Sequence, residues 1–169
     1  MKLIEPTKEY ERQISVYRRE FLDSGESMDG TDHLRHYDDP SDWLDYICKK
    51  EDLQFIYVRE DDEKIVGMLQ IRRLSNAYLE KFGGHIGYSV APSERRKGYA
   101  AEMLKAALPE CKRLGIDKVL ITCDKANEGS RRTILKNGGV YESTVYDPEI
   151  EMTDVERYWI DLKARRSSV

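Results

Sequence analysis

The sequence predicts a single α/β (α+β) domain on a mixed, mostly antiparallel twisted sheet with helices on both faces, and three observations carry that expectation. Short β-prone runs alternate with amphipathic helical stretches along the chain. The 169 residues, 40% of them hydrophobic, suit one core over residues 1–169 and leave little room for a second full domain. Ile86–Val90 reads as a strand that passes through a tight basic loop, Glu94–Gly98, into a long helix, so that Gly83–Ala107 is the stretch the rest is organised around.

Taken in order, Lys2–Glu5 reads as a first strand. Thr7 followed by Glu9, Tyr10, Ile14, Tyr17, Phe21 and Leu22 reads as an N-capped amphipathic helix to about Asp23. After a polar loop, Pro40-Ser41 opens a second helix at an N-cap, with Trp43 and Ile47 on one face, expected to reach about Glu51. Gln54–Glu60 and Lys64–Leu74 are β-rich and joined by Asp61-Asp62-Glu63, a hairpin without a glycine in its turn. Ser75–Gly84 is expected to be a connecting loop. Beyond the central strand, Ala91-Pro92-Ser93 breaks the run, and a helix over Gly98–Leu114 is stopped by Gly115. Pro109 inside it predicts a kink or short break. Lys118–Cys123 is mostly apolar, which suits a strand covered on both faces. A short helix from Asn127 or Ser130 to Lys136 ends at Asn137-Gly138-Gly139. Val140–Tyr146 and Val155–Leu162 then alternate as two antiparallel strands, followed by a charged tail, Lys163–Val169.

Composition excludes several function classes. Charged residues make up 36% of the chain with a net charge of -4, so both signs are interspersed and no nucleic-acid partner is expected. No apolar run approaches the ~20 residues of a membrane span, and the N-terminus lacks a secretory apolar region, which points to the cytoplasm. Cys48, Cys111 and Cys123 are widely separated, with neither Cys-x-x-Cys nor a nearby histidine pair, so they read as reduced structural thiols and no metal is expected. A catalytic Cys123 carrying an acyl group is the sharper alternative.

The loop after the central strand is an anion site in outline. Three cations, Arg95, Arg96 and Lys97, precede Gly98, which removes the side chain where a ligand would approach the backbone. Amides at a helix start are unsatisfied and the helix dipole places about half a positive charge there, so a diphosphate is a natural guest. The spacing Arg95-x-x-Gly98-x-Ala100, with Tyr88-Ser89-Val90 and Pro92 before it and Asn127 after the next strand, resembles the acetyl-CoA motif of the GNAT superfamily of N-acetyltransferases. The run from His85 to Ala100 is similar to that of a group of uncharacterised bacterial predicted acetyltransferases. Element order resembles the superfamily over nearly the whole chain, residue motifs from about Gly83 to Gly139.

That resemblance implies an acetyl-CoA-dependent N-acetyltransferase acting on a primary amine of a small molecule or peptide, by direct transfer through a tetrahedral intermediate. It also implies a central strand splayed from Lys118–Cys123, with Ser89 and Val90 bonding the pantetheine arm. The diphosphate would lie on Arg95, Arg96, Lys97, Gly98, Tyr99 and Ala100, with Asn127 and Ser130 near the sulfur. Transfer needs a deprotonated amine, and an ammonium of pKa ~10.4 must lose its proton first. His85 and Tyr88 are the candidate bases, and the backbone N–H of Val90 the oxyanion donor. Relatives carry a tyrosine acid some seven residues after the asparagine. That position here is Ile134, so Tyr141 or Tyr146 on the following strand, or solvent, would replace it.

Two alternatives stand beside the enzyme: a sensor that holds acyl-CoA without turnover, and a scaffold with no cofactor. Eight acidic residues lie from Asp23 to Asp45 against Arg35 as the sole Lys or Arg of that stretch. They are either a solvated loop or a flap that draws in a cationic amine. The oligomeric state is open, a homodimer included.

Overall fold

The computed structural model describes residues 1–163; most of the charged tail lies outside the described residues. Two compact units are distinguished, Met1–Arg72 with Gly87–Met103, and Arg73–Ile86 with Leu104 onward.

In the first unit, strand β1 (Lys2–Ile4) leads to a 3₁₀ turn at Lys8–Tyr10 and helix α1 (Glu11–Ser24). Thr7 makes no side-chain cap, contrary to the expectation, because the chain first closes the Tyr10 N–H to Thr7 O bond of the 3₁₀ turn. Ile14, Tyr17 and Phe21, three and four residues apart, form the buried stripe of α1. Helix α2 (Pro40–Ile47) is capped by Asp39, whose carboxylate accepts from Ser41 N at 2.8 Å, with Pro40 at the first helical position; it stops four residues short of Glu51.

Strands β2 (Leu53–Arg59) and β3 (Lys64–Ile71) form the antiparallel hairpin, ending three residues before Leu74. Glu63 takes the left-handed conformation that glycine would usually supply, and Arg59 forks onto Asp62 at 2.9 and 2.7 Å to close the turn. Strand β4 (Ile86–Val90) completes a sheet of order β1-β2-β3-β4. Ile56, Val58 and Met68 face a core with Ile14, Tyr17, Phe21, Leu34 and Trp43. On the opposite face of β2 and β3, the Tyr57 hydroxyl donates to Glu102 at 3.2 Å, and Gly67 faces the sulfur of Met103.

Helix α3 (Tyr99–Arg113) contains Pro109 without interruption, so the expected break does not occur. In the second unit its later turns bury Leu104, Ala107, Leu108 and Cys111. Strand β5 (Lys118–Asp124), helix α4 (Glu128–Lys136), strand β6 (Val140–Asp147) and strand β7 (Thr153–Asp161) follow. The three strands make an antiparallel sheet of order β5-β7-β6. Within this unit the stretch expected to be a plain loop holds a π-helical turn, Leu79–Gly83, tied down by Thr122 Oγ1 to Phe82 O at 2.6 Å and by Arg157 to Glu80 O at 2.8 Å.

Candidate active site

In the first unit, β4 is fixed by the elements that precede it. The hydroxyl of Tyr17 lies 3.0 Å from both the carbonyl oxygen and Oγ of Ser89, and Ser89 Oγ donates to Asp29 O at 2.5 Å. Burial pushes the Tyr17 phenol far above its ordinary value, so it stays protonated. The polar side chain of Ser89 therefore locks the strand in place. Gly30 has φ +70°, and a Cβ there would lie 2.2 Å from Gly87 O, so Asp29 and Gly30 rest directly on the backbone of β4. Gln54 donates to Gly30 O at 2.8 Å and holds that contact from beneath. Tyr88 and Val90 are half-buried on the same strand.

The basic loop is not three equivalent cations. Arg95 pairs with Glu26 at 2.6 Å, donates to Val90 O at 3.3 Å and lies over the Phe21 ring. Lys97 pairs with Glu94 at 2.8 Å. Arg96 makes no ion pair among the described residues and adopts φ +61°, an uncommon conformation for a side-chain-bearing residue. Gly98 follows at φ +86°, and this alternation of backbone hand is the pattern that turns successive amides to one side. Helix α3 starts with Glu102 N donating to Gly98 O at 3.2 Å. Gly98 has no side chain with which to cap, and the amides of Tyr99 and Ala100 find no acceptor among the described residues. Two outward amides, an uncommitted guanidinium and an open approach fit a diphosphate.

Sequence reasoning missed Glu94, whose side chain is 5% exposed and bonds Arg59, Lys64 and Lys97. These contacts hold its carboxyl down at about 2 against the cost of burial. A lone acid inside a basic run was the available signal. Asp29 was counted only as one of eight acids, and nothing in the spacing marks it as the one against β4.

In the second unit, His85 is 8% exposed and its Nδ1 accepts the amide of Leu120 at 2.9 Å, while its own amide donates to Leu120 O at 2.8 Å. With Nδ1 used as an acceptor, the neutral ring carries its proton on Nε2 and has no nitrogen left to take a second one without breaking that bond. This geometry makes His85 a clamp on β5 and weighs against the role of base. Asn127 Oδ1 accepts from Ser130 N at 3.0 Å and caps α4. Ser130 bonds the Cys123 thiol, and burial pushes Cys123 up to about 11, which leaves it too rarely ionised to act as a nucleophile. Tyr141 is 53% exposed and its hydroxyl lies 2.8 Å from Thr144 Oγ1, while Tyr146 is 54% exposed. Ile134 is fully buried.

Among the described residues, no group of acids, histidines and cysteines could hold a metal ion, and no helix is long and apolar enough to cross a membrane.

The mixed α+β fold carries a strand, a cation-bearing loop and an uncapped helix start in succession, the arrangement that suits an anionic ligand. The sequence profile of the acetyltransferase (GNAT) family matches residues 14–138, and the chain belongs to that family, whose members are acetyl-CoA-dependent N-acetyltransferases. A search of curated protein sequences finds none that matches. Among solved structures, the fold is similar to a ribosomal-protein-S5-alanine acetyltransferase from Vibrio fischeri (TM-score 0.75, 15% identity, 98% of this chain and 94% of that one). It is also similar to Mycobacterium smegmatis RimJ in complex with CoA-disulfide (TM-score 0.74, 19% identity, 98% and 83%). A third is a chimera of spermidine N-acetyltransferase SpeG from Vibrio cholerae and hSSAT (TM-score 0.69, 16% identity, 97% and 98%).

Proposed function

We propose that this chain moves the acetyl group of acetyl-CoA to a primary amine of a small molecule or peptide, and that the amine carries extra positive charge. The observation that carries the cofactor half is the start of α3, where Gly98, the Tyr99 and Ala100 amides and Arg96 together suit a diphosphate. Bound acetyl-CoA supplies an activated acetyl thioester. Arg95 and Lys97 shape the loop, and Val90 offers its amide to the carbonyl oxygen as that atom gains charge. The names of the similar structures, a spermidine acetyltransferase and a ribosomal-protein alanine acetyltransferase, support an amine acceptor.

The acceptor half rests on Asp29. Its residue is exposed overall, yet burial of the carboxyl pushes its pKa up, with Ser27 and Arg72 opposing. The backbone carbonyl of Asp29 accepts from Ser89 Oγ, which sets the residue against β4; a carboxyl whose pKa is raised is a better proton acceptor than an ordinary aspartate, and its ionised form attracts an ammonium. Tyr88 is the other candidate to receive the proton. The amine nitrogen attacks the thioester carbon, the carbon–sulfur bond breaks, and the thiolate, with an ordinary pKa near ~8.5, leaves without obligatory help from a protein acid. Two other acids of the stretch are committed elsewhere: Asp38 pairs with Arg18 at 2.7 Å and Asp39 caps α2.

Thiol release from acetyl-CoA with 1,4-diaminobutane and with 4-aminobutanoate tests the reading. The diamine is expected to be the better substrate, and Asp29→Asn is expected to raise its KM about tenfold while leaving the KM for acetyl-CoA within about twofold. Equal kinetics for the two amines, or for the two proteins, would remove Asp29 and the charge preference. Tight CoA binding with no thiol release from any of a panel of amines would favour a sensor.

A further inference from the structure

Glu94 is the buried centre of the ionic contacts around the basic loop. Its carboxylate takes Arg59 at 2.9 Å, Lys64 at 2.8 Å and Lys97 at 2.8 Å, and its amide donates to Ala91 O at 2.8 Å. Two of these cations belong to the hairpin: Arg59 is forked onto Asp62 in the turn, and Lys64 opens β3. The third lies inside the loop itself. Next to it, Ser93 bonds Glu20 of α1 through its hydroxyl at 2.9 Å. The loop is thus fastened to the hairpin turn on one side and to α1 on the other, and the segment spanned between these fastenings and α3 holds the two left-handed residues, Arg96 and Gly98.

For an anion site, this carboxylate has the wrong sign. It sits between the strand and the helix start and takes up the charge of Lys97, one of the three loop cations. Electrostatics alone therefore predict that neutralising Glu94 tightens anion binding, by removing a negative charge and releasing an ammonium. A backbone with a non-glycine residue at φ +61° predicts the reverse, because such a conformation is strained and persists only where neighbouring contacts impose it.

We infer that Glu94 is a positioning residue for acetyl-CoA: by clamping Lys97 to the β2–β3 hairpin it imposes the alternating backbone of residues 96–98 that aims Arg96 and the Tyr99 and Ala100 amides at the diphosphate. This rests on the reading that the diphosphate binds at the start of α3. Two of the loop's cations are then structural fasteners, and the charge seen by the ligand comes from Arg96 and the helix start.

The test is Glu94→Gln, nearly isosteric, with CoA affinity measured by titration calorimetry well below the unfolding temperature of both proteins. The dissociation constant for CoA is expected to rise at least tenfold, while the Michaelis constant for the diamine acceptor stays within about twofold, a split that general loosening would not produce. Lys64→Gln removes an ammonium that also touches Ser93 Oγ at 3.2 Å and Glu20 at 3.6 Å but leaves Glu94 paired to Arg59 and Lys97, so a smaller loss of about three- to fivefold is expected; this variant decides the matter if Glu94→Gln does not fold. Unchanged or tighter CoA binding in either variant overturns the positioning role while leaving the site itself in place. Failure of the parent chain to bind CoA overturns both.

Discussion

Replacing Gly98 by alanine separates backbone strain from the space a ligand needs. A Cβ at Gly98 would meet only Glu102 Oε1, at 4.0 Å, so the protein itself has room for a methyl group. The backbone does not welcome it: at φ +86° an L-residue costs about 1–2 kcal/mol, partly offset by about 0.4–1 kcal/mol from a less flexible unfolded chain. The net loss of about 1 kcal/mol corresponds to a fall in Tm of roughly 2–4 °C for a chain of this size. Gly115 provides a matched control. Its φ is +77° with nothing within 4 Å of an added Cβ, so Gly115→Ala is expected to lower Tm by a similar amount. If the diphosphate lies against Gly98, only Gly98→Ala places a methyl group in its way, and CoA affinity by calorimetry is expected to fall tenfold or more, about 1.4 kcal/mol. Gly115→Ala is expected to bind CoA like the parent. Equal affinities for all three proteins would refute the placement of the site, and equal losses in the two variants would show that strain alone is at work.

The remaining expectations concern ionisation. Glu94 has a folded pKa of about 2 against an unfolded value near ~4.3, so the folded value is the lower one. Its contribution is complete above the unfolded pKa and is lost as pH falls toward about 2. The stability difference between the parent and Glu94→Gln, from urea unfolding, is expected to stay constant from pH 7 to 5 and to shrink below pH 4; a difference that does not change down to pH 3 would contradict the pairing. Burial pushes the Cys111 and Cys123 thiols up to about 12 and about 11, whereas Cys48 is exposed. Brief alkylation of the native protein at pH 8 is expected to modify Cys48 alone by mass spectrometry, and rapid labelling of Cys123 would mean that the second unit opens readily.

The order of elements was legible because its signals are local. Ile14, Tyr17 and Phe21 mark the buried face of α1 by spacing alone, and the extents of β4 and β5 follow from their apolar runs. Boundaries set by competing hydrogen bonds were not legible: Thr7 and Asp39 are both plausible caps, and which of them caps depends on how the preceding backbone arrives. At the site, the loop's position and the glycine could be read, but the allocation of its charges could not. Whether a cation meets a ligand or a carboxylate is decided by Glu26 and Glu94, one of them more than sixty residues away along the chain. His85 illustrates the same limit, since an imidazole beside a strand reads as a base until Leu120 is found donating to Nδ1. Asp29 could not be separated from its seven acidic neighbours because what distinguishes it, the bond from Ser89 to its carbonyl oxygen and the contact of Gly30 with Gly87, joins residues about sixty positions apart.

Ile134 occupies the place where the family resemblance sets a tyrosine, and its surroundings have a consequence for what the chain can become. It has no exposed surface, Gly139 donates to its carbonyl oxygen at 3.0 Å, and even a single added carbon on Gly139 would come within 2.4 Å of its Cγ2. A phenol introduced by Ile134→Tyr has no vacancy to enter. It would either overpack the core at a cost of about 1–3 kcal/mol or displace the turn that ends α4. A phenol at this position therefore requires the wall at Gly139 to move as well. Any selection for faster expulsion of the thiol would more readily act on positions that already face solvent, such as Tyr141 and Tyr146, than install a phenol in the interior.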